Sequence, residues 1–241
     1  MGVITFNGVS SQDLHIQVEV LPGYDIPERD YELTHVPGRN GDVLIDAGSY
    51  KNVNRSYYIA AVEQGMDFVQ LSSDIAAWLH STSGYAELSD SYEPDYYRLA
   101  MYKNGLSFNN LFGEATRATI TFECKPQRYL VSGKTVTEYT HQATGGSFIL
   151  TNPTNFVALP IIKVYSNAQG TITIGDYAVD ITADSTIVID SEIQDVYSGS
   201  TNLNSKVSFS KGFPKLLPGD NLVTFTSYQY KLEVQPRWWT L

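Results

Sequence analysis

The sequence predicts a mainly β protein in two domains, with one α-helix confined to the first. Three observations carry this reading. Apolar and polar residues alternate through most of the first half, the period of a half-buried strand. One segment breaks the alternation with helical spacing. Beyond residue 130, short strand-like runs recur at regular intervals between turn residues, as in a β-sandwich.

Element by element, Leu14, Ile16, Val18 and Val20 share one face, with His15, Gln17 and Glu19 on the other, predicting a strand over 14–20. Further strands are expected over 31–36, 42–46, 55–62, 95–103 and 115–124. From Asp67 to His80 the apolar residues Phe68, Leu71, Ile75, Trp78 and Leu79 recur at helical spacing, with Asp67 as a cap and Gly84 beyond the end. Ala118, Ile120, Phe122 and Cys124 alternate up to Lys125-Pro126, where the strand is expected to stop, so a domain boundary is placed at 130. The second domain, 131–241, reads as strands near 134–140, 147–151, 160–166, 170–174, 177–181, 185–190, 206–210, 221–226 and 229–235. Asn152-Pro153, Gly175-Asp176 and Pro218-Gly219-Asp220 are among the turns between them.

A length of 241 residues with 42% hydrophobic content supports a sizeable core. No apolar run approaches the roughly 20 residues of a membrane helix, and the N-terminus lacks the basic and apolar regions of a secretion signal, so neither membrane insertion nor export by that route is expected. The formal charge is −10, and residues 1–130 hold 17 acidic against 9 basic side chains, a net of −8. That sign opposes a phosphate-neutralising surface, so no specific nucleic-acid binding is expected. The single cysteine, Cys124, falls on the inward face of its strand and excludes an internal disulfide.

Chemistry-bearing motifs are absent. His15, His35, His80 and His141 sit in no nucleophile motif, and His15 and His35 fall on strand faces as structural histidines. There is no His-Glu-x-x-His, no Cys-x-x-Cys and no glycine-rich phosphate loop. Asp90, Glu93 and Asp95 invite comparison with a glycosidase carboxylate pair, but their Ser-, Tyr- and Pro-rich loop reads as solvated acids. Asp176, Asp180, Asp184, Asp190, Glu192 and Asp195 match no calcium loop and read as turn and strand-flanking residues. No enzyme, metal site or cofactor is expected. The 17 tyrosines are assigned to core and interface. In adjacent pairs such as Tyr57-Tyr58 and Trp238-Trp239, strand geometry sends one ring to each face.

The most informative stretch is Val36-Pro37-Gly38-Arg39-Asn40-Gly41-Asp42. Pro37-Gly38 and Asn40-Gly41 are two turn signals in five residues, and Arg39 between them is either a solvated charge or a planar donor for a neighbouring chain. Pro37, Gly38, Arg39, Asn40 and Gly41 are therefore the candidate intersubunit contact.

Taken in order, several segments resemble the distal tail protein of long non-contractile-tailed bacteriophages. They are Phe6-Asn7-Gly8 followed by Ser10 and Asp13; the Val36–Gly41 turn leading to Val43 and Leu44; Ala77-Trp78-Leu79; Tyr97-Arg98-Leu99-Ala100; and Ile120–Pro126. In the second half they are Asn152-Pro153-Thr154, Pro160–Val164, Leu217–Asn221 and Pro236-Arg237-Trp238-Trp239. The resemblance implies a tail-tube-like N-terminal β-sandwich with one helix and a hairpin, assembling as a homohexameric ring, and a peripheral galectin-like β-sandwich. It implies a structural virion protein, assembled in the host cytoplasm, at the distal end of the tail. There it would join the major tail-tube protein to tail-tip and receptor-binding proteins and leave a channel for DNA. A glycan-binding adsorption module is the alternative on the same resemblance, and a cell-wall hydrolase the third reading; a short form without inserted domains argues against direct glycan binding.

Overall fold

The computed structural model describes residues 2–19, 23, 25–62, 68–110, 115–140, 145–166, 168–182, 185–226 and 229–241. Among the described residues the chain is mainly β, with one α-helix, and it separates into two compact units: Met1–Arg128 with Leu241, and Tyr129–Thr240.

The first unit contains β1 (Ile4–Phe6), β2 (Val9–Ser10), β3 (Ile16–Val18), β4 (Arg29–Thr34), β5 (Val43–Tyr50), β6 (Val53–Val62), α1 (Phe68–Leu79), β7 (Ala86–Asp90), β8 (Tyr96–Met101), β9 (Asn109–Asn110) and the long β10 (Ala115–Leu130). One sheet runs in the order β2-β1-β7-β8-β10-β6-β3, with β9 beside β10. It curls back on itself: Gly2, just before β1, exchanges both backbone hydrogen bonds with Val18 of β3, each at 3.1 Å. The two halves of the sheet thus face each other across one core, as the layers of a sandwich do. Ile4, Phe6, Ile16, Val18, Ile120 and Phe122 fill that core, and the Leu71, Ile75, Trp78 and Leu79 face of α1 packs against it. The Trp78 indole N–H donates to the carbonyl of Phe6 at 3.2 Å, so the helix is pinned by the polar edge of its largest ring. Asp67, the expected cap, lies outside the described residues.

Several strand expectations change: the strand expected over 134–140 begins at Thr137, after a 3-10 turn over Val131–Lys134, and β7 forms where no strand is expected. The strand expected over 14–20 begins two residues late, because Ser10 and Asp13 form a capping box that winds Ser11–Leu14 into a 3-10 turn. His15 ends that turn in the left-handed region at φ 54°, so it belongs to a helix cap and not to a strand face. β10, expected to stop at Pro126, continues to Leu130. Its pairing with β6 ends at Cys124↔Val53, so the N–H that Pro126 lacks breaks no bond of that ladder.

The second unit is a sandwich. Its strands are β11 (Thr137–Thr140), β12 (Gly146–Asn152), β13 (Ile161–Ser166), β14 (Gly170–Ile174), β15 (Tyr177–Ile181), β16 (Ile187–Asp190), β17 (Asp195–Ser198), β18 (Thr201–Asn202), β19 (Val207–Phe209), β20 (Gly219–Phe225), β21 (Gln229–Gln235) and β22 (Trp239–Thr240). One sheet has the order β11-β21-β13-β16-β17-β18, the other β12-β20-β14-β15-β19. Strict alternation sends Ile162, Val164, Ile172, Ile174, Val223 and Val234 into the shared core. Arg237, at φ 57°, turns inward and grips Asp190 with two nitrogens at 2.8 and 2.6 Å.

Candidate interaction surface

β4 and β5 form a two-stranded sheet of their own, joined by the 35–42 turn. The turn closes as its residues dictate. Gly38 and Gly41 take φ 81° and 78°, and the Arg39 N–H donates to the Val36 carbonyl at 3.2 Å. His35, expected on a strand face, is exposed beyond the end of β4, with its ring nitrogen 3.2 Å from Asp42. Residues 31–42 are exposed throughout, Pro37, Gly38, Arg39, Asn40 and Gly41 included. The Arg39 side chain bonds no described residue.

The register gives the hairpin two faces. Leu33 pairs with Leu44 and Tyr31 with Asp46, placing Tyr31, Leu33 and Leu44 together on one side at 46%, 63% and 55% exposure. Ile45 is exposed on the other side, beside Glu32. At the base, Arg29 donates to both Asp46 oxygens at 3.0 and 3.1 Å, and the Gly48 N–H adds a bond at 2.9 Å. These bonds hold the Asp46 carboxyl below its ordinary range. The pairing secures the base of the hairpin and leaves its apolar face uncovered. A lone hairpin is marginal in water, and an apolar surface rimmed by charge is characteristic of an interaction site.

The acids at 90–95 prove different from the solvated loop the sequence suggests. The Asp90 side chain is buried and that of Glu93 half-buried among three arginines of neighbouring strands. One Nη of Arg55 bonds both, each at 3.2 Å, the Tyr57 hydroxyl donates to Asp90 at 2.7 Å, and Arg128 bonds Glu93 at 2.6 Å. Arg98 lies 3.5 Å from Glu93. The Tyr92 and Glu93 N–H groups also donate to Asp90, each at 3.0 Å. Every carboxylate oxygen here is committed to a donor, which is a structural lock; only Asp95 is exposed. Tyr57, buried beside Asp90, has its hydroxyl pKa pushed well up by burial and by that carboxylate. Sequence reasoning missed this cluster because the five charged residues come from four separate segments. The alternation did hold a clue, since Arg55 and Arg98 occupy inward positions.

The remaining candidates are dispersed. Cys124 is fully buried, and burial pushes its thiol up to about 12 against the opposing pull of Arg98 and Arg55. Asp176 pairs with Lys211, Asp180 accepts from Thr171, Asp190 and Glu192 pair with Arg237, and Asp195 accepts from Asn202 and Asn204. Asp184 and His141 lie outside the described residues. No cluster of three or more metal-ligating side chains occurs among the described residues, and no helix among them is long and apolar enough to cross a membrane. Tyr57 is buried and its neighbour Tyr58 is 54% exposed, the split that strand geometry requires. On the outer face of the second unit, Tyr165 has Lys163 and Lys231 each 4.9 Å from its ring and donates to Glu233, so ammonium groups already contact this aromatic.

These units define a mainly β fold in which a curled sheet carries one helix and a projecting hairpin and a second chain segment forms a two-sheet sandwich. The same fold is found in the crystal structure of the Dit protein of phage SPP1, described as a paradigm of the hub adsorption apparatus in phages infecting Gram-positive bacteria. The TM-score is 0.74 over 100% of both chains, at 13% sequence identity. By fold the chain is Dit-like. No protein-family model and no curated protein sequence matches it.

Proposed function

We propose that this chain is a structural subunit of a phage tail hub and acts without catalysis. The observation that carries the reading is the full-length likeness in fold to a hub adsorption protein. In this proposal the first unit assembles as a homohexameric ring at the distal end of the tail, between the tail tube and the tail-tip proteins. The second unit is a galectin-like sandwich on the ring's periphery, where receptor-binding proteins attach. The hairpin supports self-assembly: Tyr31, Leu33 and Leu44 need cover, and Arg39 stands at the tip with a planar donor fork and no partner within the described chain. The charge supports passage of DNA through the ring without capture, since a first half of net −8 repels phosphate.

The test is assembly in solution and in the particle. Sedimentation and negative-stain imaging of the full chain, with tail-tube and tail-tip neighbours added where needed, are expected to show a closed six-fold ring. Leu33→Asp is expected to prevent ring closure and to leave the melting temperature of the unassembled chain unchanged, because Leu33 is mostly exposed and packs on neither core among the described residues. A different closed symmetry, or rings that form normally with aspartate at 33, would overturn the reading.

A further inference from the structure

β12 is an edge strand of its sheet, and it has none of the features that keep an edge from pairing. Natural edges are protected by short length, charge, proline or bulges. β12 runs seven residues, Gly146-Ser147-Phe148-Ile149-Leu150-Thr151-Asn152, without a charged side chain or a proline. Its register with β20 is unbroken from Gly146↔Phe225 to Asn152↔Gly219. The opposite edge, β19, has three residues, β18 has two, and β11 carries Glu138. Among the described residues, no strand pairs with the outer side of β12.

The outer face adds a second observation. Ile149 is 59% exposed and stands directly opposite Leu222, itself 51% exposed, among hydroxyl-bearing neighbours. Phe148 and Leu150 point the other way, toward the core. We propose that β12 is a self-pairing surface through which a second copy of this chain joins, antiparallel and across a two-fold axis at Ile149, to form one continuous sheet. In that register Ile149 faces its own counterpart, Phe148 faces Leu150, and Ser147 faces Thr151. The outer row becomes Leu222, Ile149, Ile149, Leu222, four aliphatic side chains covering one another. Ser–Thr pairs flank the row, and the inner faces of both sheets stay apolar. A slip of one residue would turn Phe148 and Leu150 to solvent, and a slip of two would set Ile149 against a hydroxyl. A strand without charge meets itself without repulsion, which is why the occupant is a second copy; two-fold contacts of this isologous kind close at a pair.

This inference rests on residues separate from the hairpin, so it is tested in the full chain carrying Leu33→Asp. Sedimentation equilibrium of that protein is expected to show a concentration-dependent dimer. Ile149→Lys and Ile149→Glu, each alone, are expected to weaken dimerisation about tenfold or more by placing like charges directly opposite. An equimolar mixture of the two is expected to restore it as a mixed dimer, and Ile149→Val to keep it. Melting temperatures measured at concentrations too low for dimerisation should match throughout, since the side chain is mostly exposed in the single chain. Charged variants that dimerise like the parent, or folded variants whose mixture stays monomeric, would overturn the proposal. So would a parent that remains monomeric while its β12 edge binds an unrelated uncharged strand peptide, which would assign the edge to another partner.

Discussion

Arg55 and Asp90 meet at 3.2 Å with side chains only 5% and 6% exposed, each from a different strand of the curled sheet. Such a pair is weak evidence of net stabilisation, because desolvating both charges offsets much of their attraction, but breaking it strands a buried charge. Asp90 also receives the Tyr57 hydroxyl and two backbone N–H groups, so one carboxylate fixes two strands and a turn.

Asp90→Asn is therefore expected to destabilise the first unit by about 3–5 kcal/mol, the usual cost of removing one partner of a buried pair. Calorimetry of the full chain should show an unfolding transition lowered by about 10 °C or more. Parent and variant alike are expected to release no reducing sugar from peptidoglycan. A folded variant of undiminished stability would remove the lock, and cell-wall activity lost on this substitution would make Asp90 catalytic.

Asp190 offers a pH-dependent counterpart in the second unit. Burial alone would raise its carboxyl, but the two-pronged bond and charge of Arg237, with the N–H groups of Glu192 and Ile193, outweigh that and hold it below the ordinary 3.8. A carboxyl with a depressed folded pKa stabilises the protein above its unfolded value, and that stabilisation is lost as pH falls through the folded one. The second unit is expected to lose stability from about pH 4 downward. Asp190→Asn should be less stable at pH 7 and flatter in acid. Denaturant titrations at pH 7, 4 and 2.5 decide it: parallel acid limbs for both proteins would exclude this group as the cause.

Alternation made most of the strands legible because each of the larger sheets has one buried face: Ile162, Val164, Ile172 and Ile174 follow the period without exception. Helical spacing did the same for Leu71, Ile75 and Trp78. Local hydrogen bonding defeated the pattern at Ser10–His15, where a side-chain cap competes with the strand, and at Pro126, where pairing with β6 has already ended. The turn at 36–41 was legible because proline and glycine restrict the backbone itself. Its uncovered surroundings were not, since the apolar residues of β4 and β5 read like those of any buried strand. The Asp90 lock was hidden for a different reason. Its partners at 55, 98 and 128 meet only once the sheet has folded.

Arg39 is the residue on which the hairpin's role can be tested most finely. Its backbone is held between Gly38 and Gly41, both at positive φ, and its N–H closes the turn onto Val36. The side chain leaves from a constrained point, so ordering it against a partner costs less than for an arginine on a loose loop. A guanidinium offers a planar fork that a lysine ammonium cannot reproduce. If a neighbouring copy supplies a carboxylate or paired carbonyls, Arg39→Lys keeps the charge but loses the bidentate geometry. The expected result is ring assembly weakened about tenfold, on the order of 1.4 kcal/mol per contact. The melting temperature of the single chain should stay the same, since the Arg39 side chain bonds no described residue and its backbone bond to Val36 is kept in the lysine variant. Sedimentation and thermal unfolding of the two proteins, side by side, separate the outcomes. Unchanged assembly would make Arg39 an ordinary solvated charge, and a lowered melting temperature in the unassembled chain would make it a residue of the fold.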